Sequence, residues 1–387
     1  MGTVCSRRSF LACAAGMSLP ALAADEELVA FGDYGSDFRV AAQADKPFVK
    51  CFDLRQLTSA ITPSREFFAF HQTQTVSANA DTWRLRIGGL VKRPAEFSLA
   101  DLRNRTGRRD LEVIIECSGN SGDPRIMNGL VSNAVWTGVS LRPILEECGI
   151  DPAAREVVFL GLDAEQDRKW EAGNAEFISP HGWSIFVQDA MASPNLLAFA
   201  MNGEPLASEH GFPLRLILPG WYGMAHIKWL SRIEVTDRRY EGRHMARNYQ
   251  SLRALQSGEE SLWLDTSISR NNLKSVIARV TRRRAGPGFQ YRVTGVAWGG
   301  PAAIRMVEVK VDDESWRPSV IQRPGSGAAW SLWSFDWNDA TPGRHTLVSR
   351  AFNARGEVQP TREELRARLL SNREDNSQWP RSVIIDP

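Results

Sequence analysis

The sequence predicts an α+β domain followed by an all-β sandwich, and three observations support this division. Between residues 61 and 265, short strand-like and helix-like segments alternate without a regular βαβ rhythm, and no Gly-x-Gly-x-x-Gly fingerprint occurs. From residue 270 to residue 387, short alternating runs are separated by Gly, Pro and Asp turns. A chain of 387 residues is also too long for one ordinary core, so two domains are expected.

Local patterns define the elements of the first domain. Residues 111–117 form an apolar strand that runs directly into the loop 118–122, which contains two glycines. Residues 141–148 have a helical pattern that Gly149 ends. The other predicted elements are a helix at 99–103 capped by Ser98, and strands at 83–87, 156–161, 214–218 and 233–236.

The second domain is predicted from a series of alternating runs. Five or six short strands with turn residues between them are typical of an antiparallel, immunoglobulin-like β-sandwich. The predicted strands are residues 276–280, 291–297, 307–311, 330–337, 345–352 and 383–385.

The N-terminus has the pattern of an export signal. Paired arginines, Arg7 and Arg8, precede a short apolar stretch that ends with small residues at 21–23. This pattern predicts a twin-arginine signal peptide over residues 1–24 and a periplasmic location, although a disordered arginine-bearing tail is the alternative. Residues 25–60 lack periodicity and are predicted to be an extended lead-in.

Composition excludes several classes of partner and cofactor. The formal net charge is only +2 and no Lys/Arg stripe occurs, which argues against nucleic acid as a partner. No apolar run reaches the roughly 18 residues needed to span a membrane. Three cysteines remain after the signal, Cys51, Cys117 and Cys148, without haem-attachment or zinc-ligand spacing. We therefore expect no c-type haem in this chain.

Cys117 is the main candidate for chemistry. It lies where an apolar strand opens into the glycine-containing loop, a place where side chains face clefts and ligands approach the backbone. Chemistry alone leaves three interpretations open: an inert buried thiol, a catalytic nucleophile, or a single thiolate ligand to a metal whose other ligands come from a cofactor.

The cysteine loop and a series of further motifs resemble the sulfite oxidase family. Residues 116–120, Glu-Cys-Ser-Gly-Asn, are similar to the family's cysteine loop. The matching segments further along the chain are 129–141, 196–206, 209–215, 219–230, 295–298 and 358–360. This resemblance implies a sulfite-oxidase-type molybdopterin domain followed by the sandwich, and a molybdenum–molybdopterin cofactor (Mo cofactor).

The resemblance also assigns roles to individual residues. It implies that Cys117 is the protein's ligand to molybdenum, and that Tyr249 is an active-site phenol. Arginine and lysine suit the pterin's phosphate, the first through paired hydrogen bonds and the second as a point charge. The implied cofactor-binding residues are His71, Cys117, Ser118, His210, Arg215, Gly223 and Lys228.

Without the family match, structural roles without a catalytic or binding function are favoured for these residues. Arg215 then becomes a surface charge at a strand edge, and His210 a hydrogen-bonded loop histidine. Gly223 becomes an ordinary turn glycine and Tyr249 an amphipathic tyrosine at the edge of the core.

The sequence departs from the family at the expected substrate pocket. Sulfite-oxidising members bind the dianion with an arginine cage, but Phe70 and Gly122 occupy two of the arginine positions here. Ile126 stands in the place of the pocket tryptophan. The remaining candidates for the cage, which we assign as catalytic residues with Tyr249, are Arg125, Arg366 and Arg368.

Together these features predict an oxidoreductase that oxidises a reduced inorganic sulfur compound, with sulfite as the first candidate. The expected electron acceptor is a periplasmic c-type cytochrome, as in the sulfane dehydrogenase subgroup that the chain also resembles. We expect a homodimer through the sandwich, or a heterodimer with a cytochrome subunit. The alternatives are a sulfoxide-type reductase and a non-catalytic, cofactor-bearing subunit.

Overall fold

A computed structural model describes residues 26–33, 38, 48–73, 75–169, 175–257, 260–300 and 302–387. The predicted signal peptide, residues 1–24, lies outside these ranges. Within them, no helix is long and apolar enough to cross a bilayer.

Strands are the main regular structure of the described chain, and short helices connect them. The strands are β1 (Glu26–Val29), β2 (Phe48–Lys50), β3 (Ala69–His71), β4 (Arg84–Gly89), β5 (Ala95–Ser98), β6 (Arg108–Glu116), β7 (Val131–Ser140), β8 (Glu156–Lys169), β9 (Ala175–Phe186), β10 (Leu196–Met201), β11 (Glu204–Pro205), β12 (Arg215–Ile217), β13 (Leu230–Thr236), β14 (Gln250–Ser257), β15 (Glu260–Ser267), β16 (Lys274–Ala285), β17 (Gly288–Trp298), β18 (Ile304–Val311), β19 (Arg317–Pro318), β20 (Val320–Arg323), β21 (Ser331–Trp337), β22 (Gly343–Asn353), β23 (Leu369–Leu370) and β24 (Arg381–Ile385). The α-helices are α1 (Leu99–Asn104), α2 (Leu141–Cys148), α3 (Val187–Ala190) and α4 (Arg362–Arg366). Three 3₁₀ turns lie at Leu54–Gln56, Ser208–His210 and Gly223–Ala225, and a π-helical turn lies at His244–Asn248.

The predicted helix boundaries of the first domain are confirmed, and the capping residues explain them. Ser98 Oγ accepts a hydrogen bond from the backbone N–H of Asp101, and the Asp101 carboxylate accepts one from the N–H of Ser98. Such a cap stabilises a helix by about 1 kcal/mol. Helix α2 ends at Gly149, whose φ of 71° is favourable for a residue without a side chain.

Two five-stranded sheets form the first domain. One has the order β5-β4-β13-β8-β9; the other has the order β11-β10-β7-β6, with β12 also paired to β10. Strands β4 and β13 are parallel, and the remaining pairs in these sheets are antiparallel. The main core contains the buried side chains of Leu145, Phe159 and Ile233. The domain is therefore mostly β, with less helix than an even α+β mixture.

The second domain consists of two antiparallel sheets around one core. The sheets have the orders β1-β16-β17-β21-β20 and β19-β18-β22-β24. Buried side chains from both sheets, such as Val293, Val309 and Trp333, belong to the same core cluster. Five of the six predicted strands of this region lie within longer strands, and the sixth, 330–337, corresponds to β21 (Ser331–Trp337). The immunoglobulin-like topology remains a prediction.

Two strands, β1 near the start of the described chain and β23 near its end, pair with distant strands. The sequence did not indicate these pairings. Strand β1 lies in the predicted lead-in but pairs antiparallel with β16, with Leu28 opposite Thr281. Strand β23 pairs with β14, which joins residues 369–370 to the hairpin of the first domain. The loop after β23 is therefore brought close to Tyr249, the residue that directly precedes β14.

Candidate active site

One cleft in the first domain brings together residues from widely separated parts of the sequence. Its empty volume, which includes the open mouth, is about 760 Å³. The predicted cofactor-binding residues and the predicted active-site tyrosine all line it: His71, Cys117, Ser118, His210, Arg215, Gly223, Lys228 and Tyr249.

Cys117 follows the last residue of β6 and its backbone is held in a defined turn. Its N–H donates to the carbonyl of Leu130 at 2.9 Å, and its carbonyl accepts from the N–H of Asn120 at 2.9 Å. Burial raises the pKa of the Cys117 thiol, and the positive charge of Arg373 offsets only part of that rise. A bound metal ion is the kind of charge that holds such a thiol as a thiolate.

Two buried cations, Arg215 and Lys228, lie along the cleft. Burial lowers the pKa of Arg215 to about 9. Burial and the neighbouring Arg215 lower the pKa of Lys228 to about 7. The ammonium of Lys228 donates to the carbonyls of Phe70 and Glu209, each at 3.2 Å. Two buried cations that line the same cleft favour an anionic ligand between them.

The histidines beside these cations are neutral. Burial and nearby positive charges lower the pKa of His210 and of His71 to about 3. His210 Nε2 lies 3.2 Å from the carbonyl oxygen of Ser64, and His71 Nδ1 lies 3.0 Å from the ammonium of Lys228. The His71 imidazole therefore orients the Lys228 ammonium without adding charge, and the His210 imidazole is positioned by the carbonyl of Ser64.

The residues of the cleft fit a phosphorylated pterin bound to a metal. Arg215 Nε and Ser118 Oγ are buried and have no hydrogen-bond partner within the described part of the chain. A Cβ added to Gly223 would lie 3.1 Å from the carbonyl oxygen of Glu116, so the backbones approach closely there. Arg215 and Lys228 would hold the phosphate, and Cys117 would supply the thiolate.

Tyr249 closes the cleft near Cys117. Burial raises the pKa of its phenol to about 12, so the hydroxyl stays protonated and can donate a hydrogen bond. The Gln72 side chain hydrogen-bonds the phenol. The guanidinium carbon of Arg373 lies 4.4 Å from the centre of the Tyr249 ring, on the loop that β23 brings to this position.

Comparison with known proteins agrees with this geometry. Residues 71–244 match the family model described as oxidoreductase molybdopterin binding domain. The sulfite oxidase of Gallus gallus is 28% identical over 322 residues, which cover 78% of this chain and 68% of that protein. The chain therefore contains an oxidoreductase molybdopterin-binding domain and is similar to sulfite oxidases and nitrate reductases. This domain implies a molybdenum–molybdopterin cofactor.

Further proteins share the matched region or the fold. The NADH nitrate reductase 2 of Phaseolus vulgaris is 30% identical over 311 residues, 71% of this chain, and the chain spans about a third (34%) of that protein's length. The crystal structure of the sulfane dehydrogenase SoxCD from Paracoccus pantotrophus has the same fold, with a TM-score of 0.74 and 24% identity. That match covers 92% of this chain and 90% of the SoxCD chain.

The three arginines predicted from the family's cage do not line the cleft. Arg125 is exposed and pairs with Asp123, with Nε 3.0 Å from Oδ1. Arg366 is exposed at the end of α4, and Arg368 is exposed beside a separate surface pocket. The assignment of these side chains to the substrate site therefore stays a prediction, and the structure adds Arg373, whose guanidinium lies over the Tyr249 ring, as a further candidate. The sequence offered one indication of Arg373, which is its position directly after Asn372. Only the pairing of β23 with β14 decides which arginine lies against Tyr249.

The departures from the family pattern have structural explanations. Phe70 lines the cleft, so an apolar ring takes the place of one family arginine. At Gly122, an added Cβ would lie 2.2 Å from the indole ring of Trp379, so that ring occupies the space a longer side chain would need. Ile126 packs against a core cluster and does not line the cleft.

Two histidines of the cleft were not foreseen from the sequence. His181 on β9 and His244 at the π-helical turn both line it, with ring centres 4.4 Å apart. Burial and the neighbouring His181 lower the pKa of His244 to about 3. Their positions depend on the long β8–β9 hairpin. The sequence predicted only the first residues of β8, 156–161. They give this wall a polar character.

Proposed function

We propose that this oxidoreductase oxidises a reduced inorganic sulfur compound, with sulfite as the first candidate. The proposal depends on Tyr249, which lines the cleft together with Cys117 and has the Arg373 guanidinium against its ring. When bound there, the cofactor supplies oxygen-atom transfer and takes up two electrons.

The protein's own side chains bind and orient the substrate. The Arg373 guanidinium provides positive charge for an oxyanion, and the protonated Tyr249 phenol donates a hydrogen bond to it. The same cation lies against the Tyr249 ring, which restricts both groups to one arrangement. Burial of the cleft floor keeps bulk water from weakening these interactions.

The low number of cations supports a second candidate, a sulfoxide or a related neutral oxide reduced by the reverse transfer. Phe70 stands in the cleft where the family pattern has an arginine, and burial lowers the pKa of His244 to about 3, so this imidazole carries no charge. A neutral substrate needs less positive charge than a sulfite dianion.

The partner and the location follow from the sequence features. In our proposal the electrons pass singly to an external c-type cytochrome, since no haem-attachment motif occurs in the chain. The twin-arginine pattern of residues 1–24 supports export to the periplasm. A homodimer through the second domain, or a heterodimer with the cytochrome, is the proposed assembly.

Sulfite should be a poor substrate for the native protein and a better one after Phe70→Arg. Each hydrogen bond from arginine to an oxyanion contributes roughly 1.5–3 kcal/mol, so the expected gain in kcat/KM is about 10-fold to 10²-fold. The matched control is Phe70→Leu, which removes the ring without adding charge and should leave sulfite kcat/KM nearly unchanged. The measurement is cytochrome-coupled turnover of sulfite, thiosulfate and dimethyl sulfoxide by cofactor-loaded protein.

Two outcomes would contradict the proposal. A native kcat/KM for sulfite of roughly 10⁶ M⁻¹s⁻¹ or more, in the middle of the usual enzyme range, would show that Phe70 imposes no penalty. Turnover of dimethyl sulfoxide without any oxidation of sulfite or thiosulfate would favour the reductase instead.

A further inference from the structure

A buried ion pair joins the second domain to β6, the strand that directly precedes Cys117. Glu116, the last residue of β6, is 1% exposed, and Lys274, the first residue of β16, is 0% exposed. Their charged atoms, Lys274 Nζ and Glu116 Oε1, lie 3.3 Å apart. The pair links residues 158 positions apart in the sequence.

The Glu116 carboxylate has further partners on both domains. Trp298 Nε1 donates to Oε2 at 2.9 Å, and Asn271 Nδ2 donates to the same oxygen at 3.3 Å. On the side of the first domain, Asn120 Nδ2 donates to Oε1 at 3.2 Å. The carboxylate is therefore satisfied by neutral donors in addition to the ammonium.

The other hydrogen bonds of Lys274 reach the two loops that form the substrate end of the cleft. Its ammonium donates to the carbonyl of Asn120, three residues after Cys117, at 3.0 Å. It also donates to the carbonyl of Asp375, two residues after Arg373, at 2.7 Å. An ammonium has three donors, so these two carbonyls and Glu116 use all of them.

We propose that Lys274 is a positioning residue that sets the place of Arg373 relative to Cys117 by holding both loops from the second domain. This inference rests on the proposed function, because Arg373 matters there as the cation that binds the substrate.

The geometry distinguishes this role from simple stabilisation. A buried ion pair is often no more stabilising than apolar side chains of the same volume, so stability alone does not require a lysine here. The loops also touch directly, since the N–H of Glu374 donates to the carbonyl of Ser118 at 2.6 Å. Lys274 adds a second attachment between the same two loops, through the carbonyls of Asn120 and Asp375.

The test compares Lys274→Met with the double variant Lys274→Met/Glu116→Gln in the cofactor-loaded protein. The single variant leaves a buried carboxylate without its cation and should lower the Tm, whereas the double variant should recover most of the Tm. In both variants we expect KM for sulfite to rise on the order of 10-fold to 10²-fold, because a displacement of about 1 Å has effects of this size. Recovery of native KM together with the Tm in the double variant would overturn the proposal.

A matched control uses another ion pair between the same two domains. Arg323 on β20 binds Glu112 on β6 through two contacts of 2.8 and 2.6 Å, four residues before Glu116. This pair touches neither loop, so Arg323→Met should leave KM for sulfite unchanged. A rise in KM equal to that of the Lys274 variants would mean that any loss at the domain interface disturbs the site, which contradicts a specific role for Lys274.

A second measurement does not depend on the substrate. In the cofactor-free protein, iodoacetamide should alkylate Cys117 several-fold faster in the double variant than in the native chain, because its loop has lost an attachment. Mass spectrometry separates Cys117 from Cys51 and Cys148, which are also buried and should react at unchanged rates. An unchanged rate at Cys117 would contradict the proposal even if sulfite proves to be the wrong substrate. A faster rate without sulfite turnover would place the failure in the proposed function alone.

Discussion

Replacement of Cys117 by alanine is expected to abolish oxidoreductase activity in a protein that still folds. The side chain is small and follows the end of β6, and the loop is held by backbone hydrogen bonds that alanine preserves. A metal ligand contributes several kcal/mol of charge stabilisation, so the expected loss of turnover is roughly 10³-fold or more. Alanine offers no atom that can bind a metal. Circular dichroism and turnover of the cofactor-loaded protein measure the two parts of this prediction.

Cys148→Ala provides the matched control for that experiment. Cys148 is also a buried free thiol, but it lies on α2 and does not line the cleft. Its replacement should leave activity and metal content unchanged. Elemental analysis of native protein from a molybdate-fed host should find about one molybdenum per chain, because the predicted cofactor-binding residues converge on one cleft. Zinc in its place, or full activity in Cys117→Ala, would disprove the assignment of the ligand.

Replacement of Arg215 by methionine is expected to weaken cofactor retention while leaving the cofactor-free protein at least as stable as the native one. The Arg215 side chain is 6% exposed, its Nε has no partner within the described residues, and its charge lies near that of Lys228. Burying an unpaired cation is costly, so an apolar side chain of similar length removes that cost. Loss of two charge-assisted hydrogen bonds to phosphate, each roughly 1.5–3 kcal/mol, corresponds to about 10²-fold to 10⁴-fold weaker binding.

The two halves of this prediction have separate measurements. Molybdenum and pterin content after gel filtration report retention of the cofactor, and the Tm of cofactor-free protein reports stability. Arg142→Met is a suitable control, since Arg142 forms an exposed ion pair with Glu146 on α2, outside the cleft. Full cofactor content in Arg215→Met after gel filtration would show that this guanidinium does not hold the phosphate.

Local sequence patterns determined the parts of the protein that depend on near neighbours. The capped helix after Ser98, the helix stopped by Gly149 and the strand that leads to Cys117 were all predicted with nearly their observed bounds. Capping, turn formation and side-chain alternation act over a few residues, so they can be recognised without knowledge of the fold. The resemblance of linear motifs extended this to residues such as Arg215 and Lys228, which line one cleft.

Only the tertiary structure decided which distant residues complete the site. Arg373 lies against Tyr249 because β23 pairs with β14. Arg366 and Arg368, the two arginines predicted for this part of the chain, are exposed outside the cleft. The contact of Lys274 with Glu116 likewise depends on how the second domain packs against β6. Such contacts are set by strand pairing and by the burial of whole faces, and these depend on the entire chain. The sequence by itself therefore determined the cofactor-binding cleft, while the arrangement of charge at its substrate end depended on the packing of the two domains.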